Sequence, residues 1–325
     1  MKSTAVTARA HTNIALIKYW GKADATRMLP ANSSVSLTLD QFYTDTTVQF
    51  DADLTADTFI LDGQQRDAAK ITRFLDHVRT LAGRKQYAHV TSSNHVPTAA
   101  GLASSASAFA ALALAASRAA GLTLDAPALT RLARLGSGSA SRSINGGCVI
   151  WHKGTDDATS FAEPVAVHPG LDLRMIAIVL DHAEKKVSSR SGMAETVATS
   201  PYFSAWAETA ERNSQEMVQA LAAGDFAQIG ALTERSALLM HATTLSANPP
   251  FTYFKPETLA TLALVQSIRE QGLPAYATMD AGPNVKVLTT APFVEAVVAK
   301  LKAALDAPMT ICAPGPDAFI LEATD

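Results

Sequence analysis

The sequence predicts an α+β protein built in two halves, and three observations predict it. Strand-like and helix-like segments alternate through the first part of the chain. The pattern then changes to long helices followed by a strand–helix–strand close. The length, 325 residues, supplies core for about two domains.

The elements follow in order. TDTTVQF (44–50) and DTFILDG (57–63) read as strands, rich in β-branched and aromatic residues, with Asp62-Gly63 as a turn. Ile71, Phe74, Leu75, Val78 and Leu81 then fall on one helical face, which Gly83 ends. YAHVTSSNHV (87–96) is another strand. Residues 104–120 form an alanine-rich helix ended by Gly121, and Pro127 opens a further helix with Asp125 as its cap. LDLRMIAIVLD (171–181) reads as a buried strand. Long helices follow over 202–223, 226–241 and 256–271. Two strand-like runs, 275–290 and 310–322, flank a helix near 293–305. The expected boundary lies near residue 185, giving halves 1–184 and 185–325.

Composition excludes several classes. Hydrophobic residues make up 48% and charged residues 18%, too apolar for intrinsic disorder. The net charge of −3 gives no electrostatic footprint for a dedicated nucleic-acid binder. Two cysteines, Cys148 and Cys312, in no CxxC or Cys/His cluster, read as small buried core residues. The segment MKSTAVTARAHTN has no apolar signal core, so the expected location is a reducing cytoplasm. The uncharged stretch 96–117 has the length of a membrane span. Its apolar residues are mostly alanine, which gains little from transfer into lipid, so a span is not expected.

Five segments carry candidate chemistry. PTAAGLASSAS (97–107) lies between a strand and a helix, where small residues let a backbone approach a ligand and free N–H groups favour an anion such as phosphate. It contains neither a Walker loop nor a dinucleotide fingerprint. The same residues suit a helix packed tightly on a sheet with serine caps, and the residues alone leave both readings open. GSGSASRSINGG (136–147) can form an anion nest in which Arg142 grips a carboxylate or phosphate by two hydrogen bonds; a flexible loop is the alternative. NIALIKYWGK (13–22) sets Lys18 and Lys22 around Tyr19 and Trp20, either at an anionic pocket or on a strand edge. EKKVSSRSG (184–192) offers Lys185, Lys186, Ser189 and Arg190 to a polyphosphate, or is an exposed basic loop. In TMDAGPN (278–284), Asp280 beside Gly-Pro is either a turn former or a carboxylate that orients a hydroxyl. The eight histidines show no metal-ligand spacing, and His11, His95, His182 and His241 read as structural or incidental.

In this order, HTNIALIKYWGK, LPANSSVSLTL, PTAAGLASSAS, GSGSASRSINGG, KVSSRSGM and MDAGPNVKV resemble the GHMP kinase superfamily and, within it, the diphosphomevalonate decarboxylases. Gly101-Leu102-Ala103-Ser104-Ser105, where simple GHMP kinases carry Gly-Leu-Gly-Ser-Ser, is similar to the decarboxylase branch. The resemblance spans nearly the whole chain; only 200–270 carries no usable motif. It implies the α+β two-domain GHMP kinase fold: a ribosomal-protein-like N-terminal half carrying the phosphate loop, a ferredoxin-like C-terminal half carrying the catalytic aspartate, and an active site in the cleft between them. It implies ATP-dependent decarboxylation of mevalonate 5-diphosphate to isopentenyl diphosphate, with ATP and Mg²⁺ required and homodimers common.

The resemblance also implies roles. Asp280 orients and deprotonates the 3-hydroxyl, Lys18 keeps Asp280 ionised or positions the carboxylate, and Arg142 holds the substrate carboxylate. Tyr19, Trp20, Gly21, Lys22, Ser137, Gly138, Ser139, Ala140, Ser141, Ser189, Arg190 and Met193 form the substrate side. Lys70, Ser92, Asn94, Gly101, Ala103, Ser104, Ser105, Ser107 and Lys185 form the nucleotide side, with Ser105 the candidate for Mg²⁺. The nearest rivals are a kinase of a mevalonate-like hydroxyl and a monophosphate decarboxylase. A catalytically silent sensor is a rival of another class, and the joint presence of Asp280, Lys18 and Arg142 argues against it.

Overall fold

The computed structural model describes residues 4–96, 104–181, 183 and 186–324. In chain order the strands are β1 (Ala5–Ile17), β2 (Lys22–Asp24), β3 (Leu29–Pro30), β4 (Ser34–Asp51), β5 (Thr58–Leu61), β6 (Gln64–Arg66) and β7 (Tyr87–His95), with α1 (Ala69–Ala82) before β7. Then come α2 (Ser104–Ala119), α3 (Ala126–Gly136), a 3-10 turn (Gly138–Ser143), β8 (Cys148–Trp151), β9 (Ala162–Pro164) and β10 (Leu173–Ile178). The chain continues through α4 (Ser189–Thr199), α5 (Phe203–Ala223), α6 (Phe226–Leu245), α7 (Pro256–Glu270), β11 (Tyr276–Met279), β12 (Val285–Thr290), α8 (Val294–Ala304), β13 (Met309–Cys312) and β14 (Phe319–Thr324).

Two sheets organise these elements. The first runs β14-β1-β4-β7-β5-β6, with β8 and β9 added beside the start of β4; only β5 and β7 pair in parallel. The second is antiparallel, β11-β12-β10-β13. Strand β10 precedes residue 185 yet pairs in the second sheet. The 310–322 run divides: β13 stays in the second sheet, and β14 crosses back to lie against β1.

Most of the expected elements form. The helix around Ile71–Leu81 is α1, closed by Gly83 in the left-handed region at φ 62°. Asp125 caps α3 by accepting the backbone N–H of Ala128. Three segments differ. Residues 5–17 and 34–43 are long strands: His11, Thr12, Asn13, Ser36 and Thr38 are buried beside Ile14 and Leu37, and this two-sided burial hides the strand alternation. Residues 189–199, to which the sequence assigns no element, form α4, with Ser188 capping the N–H of Ser191.

The alanine-rich α2 is buried almost all round, packed on β1 and β4, with Phe74 of α1 against its Phe109 and Leu129 of α3 in the same core. Among the described residues no helix is long and apolar enough to cross a membrane. A second core joins the two sheets: Ile14, Leu16, Val35 and Leu37 pack with Leu173, Met175, Met217, Leu221, Ile229 and Leu288.

One buried ion pair fastens β7 to α1. Asp57 accepts two bonds from Arg79, at 3.0 and 3.1 Å, and another from the N–H of Ala88 at 2.8 Å. Replacing Asp57 with alanine leaves the guanidinium only the exposed Asp76 carboxylate at 2.7 Å and takes the acceptor from the Ala88 N–H, and the expected cost is about 1–3 kcal/mol. Urea unfolding of the two proteins checks this; a loss under about 1 kcal/mol, the range of an exposed pair, refutes it.

Candidate active site

Sequence alternation puts the central carboxylate in place. Across the β11–β12 hairpin Met279 pairs with Val285 and Thr278 with Lys286, so Thr278, Asp280 and Lys286 share a face. Asp280 follows the last residue of β11 and enters the turn, where its carbonyl accepts the N–H of Gly282 at 2.7 Å. Lys18 follows the last residue of β1 and comes from the other sheet. Its backbone N–H donates to Ser236 on α6, and its carbonyl accepts from Asn32. The Lys18 ammonium donates to Asp280 Oδ1 at 2.7 Å, and the Lys286 ammonium lies 3.1 Å from Oδ2. Both lysine side chains are 2% exposed, whereas Asp280 is 23% exposed, so the carboxylate alone of the three opens to the cleft.

Electrostatics follows from that geometry. Burial opposes ionisation of Asp280, but the charges of Lys18 and Lys286 outweigh it and hold the carboxyl well below the usual range. The same burial lowers the Lys18 ammonium, with Asp280 opposing. A carboxylate so stabilised is a poor resting proton acceptor. Such a carboxylate stays ionised, able to orient a hydroxyl and to take its proton only as the reaction makes that proton acidic.

Arg142 stands on the 3-10 turn, 2% exposed, and is aimed by neutral groups: Nε donates to Asn13 Oδ1 at 3.3 Å and Nη1 to Ser34 Oγ at 2.5 Å. Burial brings its guanidinium down to about 10, with Asp280 and Tyr19 opposing, so it remains a cation at neutral pH. Among the described residues no carboxylate forms a salt bridge with it. Beside it Tyr19 packs on Trp151 at 4.8 Å, its hydroxyl buried without a hydrogen-bond partner among the described residues. Gly138 lies against both rings; a Cβ there would sit 2.9 Å from each.

The serine-rich helix start joins the same network. Ser105 Oγ is 3.2 Å from Ser137 Oγ, which is 3.3 Å from Ser139 Oγ. The Ser139 carbonyl accepts from Asn13, whose Oδ1 accepts from Arg142. This chain of contacts runs from the start of α2 to the cation facing Asp280. Burial depresses the lysines at 22 and 70, and Arg190, the second residue of α4, adds to this with its charge and also acts on Tyr19.

Other expected site residues have internal partners. Ser107 is fully buried against Thr12 and Thr44, Ser92 bonds Thr46, and Asn94 accepts from Thr44. Ser141 donates to the Gly138 carbonyl, and Ala140 packs in the first core. Trp20 donates to Thr196 at 2.8 Å and packs with Tyr253 and Trp206, with Met193 at the edge of that cluster. Gly21, at φ 98°, lies against Phe203. Ser104 begins α2 and Ser189 begins α4. Gly101, Ala103, Lys185 and His182 lie outside the described residues.

The comparisons agree along the chain. Residues 10–162 match a family model described as the diphosphomevalonate decarboxylase-like N-terminal domain, and residues 175–313 match the mevalonate 5-diphosphate decarboxylase C-terminal domain. The human diphosphomevalonate decarboxylase is 37% identical over 322 residues, covering 90% of this chain and 80% of that protein. The chain belongs to the diphosphomevalonate decarboxylase family.

Solved structures of this family superpose closely. A mevalonate diphosphate decarboxylase from Enterococcus faecalis is 47% identical with a TM-score of 0.94, covering 99% of this chain and all of that one. A solved complex with MVAPP, AMPPCP and magnesium is 48% identical with a TM-score of 0.95, at the same coverage. The fold is accordingly the two-domain GHMP kinase α+β architecture of these decarboxylases.

Sequence reasoning missed Lys286, Asn13 and Ser34. Alternation across the Gly282-Pro283 turn was a usable signal for Lys286. Asn13 and Ser34 carried none, since their role depends on which strands meet Arg142. His241, read as incidental, is buried on α6 against Phe254 at 4.5 Å, within the fields of Lys18 and Asp280. Burial depresses its ring to about 3, so it is neutral at working pH.

Proposed function

We propose that this cleft performs the family's reaction: ATP-dependent decarboxylation of mevalonate 5-diphosphate, giving isopentenyl diphosphate, ADP, phosphate and CO₂. The observation that carries it is a surplus of buried cations. Lys18, Lys286 and Arg142 converge on one carboxylate, Asp280. Buried charge without compensation is costly, so an anion completes the site. A 3-hydroxy acid suits it, with its carboxylate on Arg142 and its hydroxyl on Asp280.

ATP with Mg²⁺ supplies the phosphoryl group that makes the tertiary hydroxyl a leaving group. Among the described residues no cluster of three or more His, Cys, Asp or Glu could hold a metal. Magnesium's ligands would then be phosphate oxygens and the Ser105 hydroxyl. The residues do the rest. Asp280 orients the 3-hydroxyl and takes its proton as the oxygen is phosphorylated, and Arg142 holds the carboxylate so that its C–C bond is aligned. As phosphate departs that bond breaks, and its electron pair becomes the new double bond. Tyr19, Lys22, Ser137, Ser139, Ser189 and Arg190 receive the substrate diphosphate, with Met193 beside it. The start of α2 from Ser104 and Ser105, Lys70 and the expected Lys185 receive the nucleotide phosphates. The convergence of Lys22, Lys70 and Arg190 supports two anionic chains in one cleft.

The halves 1–184 and 185–325 are proposed as the two walls of this cleft. Homodimerisation and a cytoplasmic location are proposed with it; two buried free cysteines suit a reducing compartment, and sedimentation tests the dimer. The deciding experiment incubates the protein with ATP, Mg²⁺ and mevalonate 5-diphosphate. Equal amounts of CO₂ and ADP are expected. ADP without CO₂ makes it a hydroxyl kinase, preference for mevalonate 5-phosphate makes it a monophosphate decarboxylase, and ligand binding without either product makes it a sensor.

A further inference from the structure

Asp280 has two oxygens, and the structure gives each a different ammonium. Lys18 arrives from the first sheet and takes Oδ1 at 2.7 Å; Lys286 rises from β12 and stands 3.1 Å from Oδ2. Lys286 is not a surface lysine folded inward. It lies on the central side of its sheet, flanked by Thr278 on one neighbouring strand and Ala177 on the other, and is 1% exposed. Its ammonium also lies 3.5 Å from the Asn284 carbonyl in the turn that carries Asp280. Asn284 in turn accepts from the N–H groups of Leu180 and Asp181 and donates to the Asp181 carbonyl, tying that turn to the end of β10. A long flexible side chain is thus held at full depth, where burying a cation is costly, against one carboxylate oxygen.

We propose that Lys286 is a positioning residue for the decarboxylation: it fixes Oδ2 of Asp280 from the second sheet while Lys18 fixes Oδ1 from the first, so the carboxylate keeps one orientation and its negative charge as bound substrate excludes water. The inference rests on the reading of the cleft given above. It assigns Lys286 no contact with substrate, because the lysine lies beneath the acid and only Asp280 opens to the cleft. The charged and titratable groups facing Asp280 are Lys18 from the end of β1, Lys286 from β12, Arg142 from the 3-10 turn and His241 from α6. His241 is neutral over the working range and adds no third ammonium. Removing Lys286 therefore leaves Asp280 with Lys18 as its one ammonium, helped by the Arg142 charge, against the same burial.

The test compares wild type, Lys286→Gln and Lys286→Arg, with CO₂ release followed from pH 5 to 9 on mevalonate 5-diphosphate. In the glutamine variant kcat is expected to fall about 10–100-fold, the scale of a hydrogen bond to a charged group, with KM nearly unchanged. Within that pH window the wild type is expected to show no Asp280 limb in kcat/KM, because its carboxyl is held well below the usual range, whereas in Lys286→Gln an acid limb is expected to rise into it as burial gains on the remaining cations. The arginine variant keeps the cation and is expected to show no such limb, as in wild type. Absence of a new acid limb in Lys286→Gln, a KM rise that accounts for the loss, or an arginine variant with the same limb as the glutamine one overturns the proposal. If the glutamine variant does not fold, Lys286→Arg carries the test: lowered kcat with no new acid limb supports the role, and a new limb overturns it. The wild-type profile separates the two hypotheses, since absence of CO₂ there defeats the reading of the cleft and not the placement of Lys286.

Discussion

Asp280→Asn is expected to eliminate turnover, with kcat reduced at least about 10²–10⁴-fold, the range for a positioned acid–base group. The substitution is nearly isosteric, so the loss would come from charge. Lys18 donates to Oδ1 at 2.7 Å and Lys286 stands 3.1 Å from Oδ2. An asparagine presents one acceptor and one donor to two ammonium groups, so one lysine faces an N–H. The cleft keeps its cations and loses the only carboxylate that balances them. Nucleotide affinity is expected to stay close to wild type, because the start of α2 and the lysines at 22 and 70 are untouched. Titration with a nonhydrolysable ATP analogue checks the second statement, and a CO₂ assay checks the first. Substantial residual activity removes Asp280 from the mechanism.

The second large effect is expected at Arg142→Lys, where charge is conserved and shape is not. The guanidinium engages Asn13 through Nε and Ser34 through Nη1, and its plane is thereby set. A lysine ammonium is a point charge that cannot make both bonds and also meet a carboxylate with a fork. The rate is expected to fall about 10–100-fold for each charged hydrogen bond lost. Ser34 and Asn13 would each lose a buried donor, so some loss of stability accompanies it. Near-normal turnover would mean that the substrate carboxylate is held elsewhere. Comparing Arg142→Lys with Asn13→Ala separates the grip from its alignment, since the second keeps the guanidinium and takes from it only the bond to Nε, along with Asn13's own bonds to Ser139 and Ser143.

Much of this site was legible before any coordinates. The order of small-residue and basic motifs pointed to one cleft, and Asp280, Lys18 and Arg142 do converge within it. What alternation could show was limited to strands with one wet face. β1 and the start of β4 are buried on both faces and carry polar residues such as Asn13, Ser34 and Thr38 inside, so neither period nor composition marks them. Those hidden polar positions aim Arg142. Conversely, serines that look alike in sequence differ in space: Ser105 reaches Ser137, whereas Ser107 is locked between Thr12 and Thr44. Composition cannot separate them, because the difference lies in the direction each Cβ takes from the first turn of α2.

Strand β14 comes from the far end of the chain, yet its partner is β1, in the opposite half. A fragment stopped after the first half would thus leave one flank of β1 with its peptide groups bare. Such an open edge recruits whatever extended chain it meets, including other copies of itself. The family's N-terminal portion, produced in isolation, should therefore self-associate, and adding a peptide of sequence 317–325 should suppress that association by capping the flank.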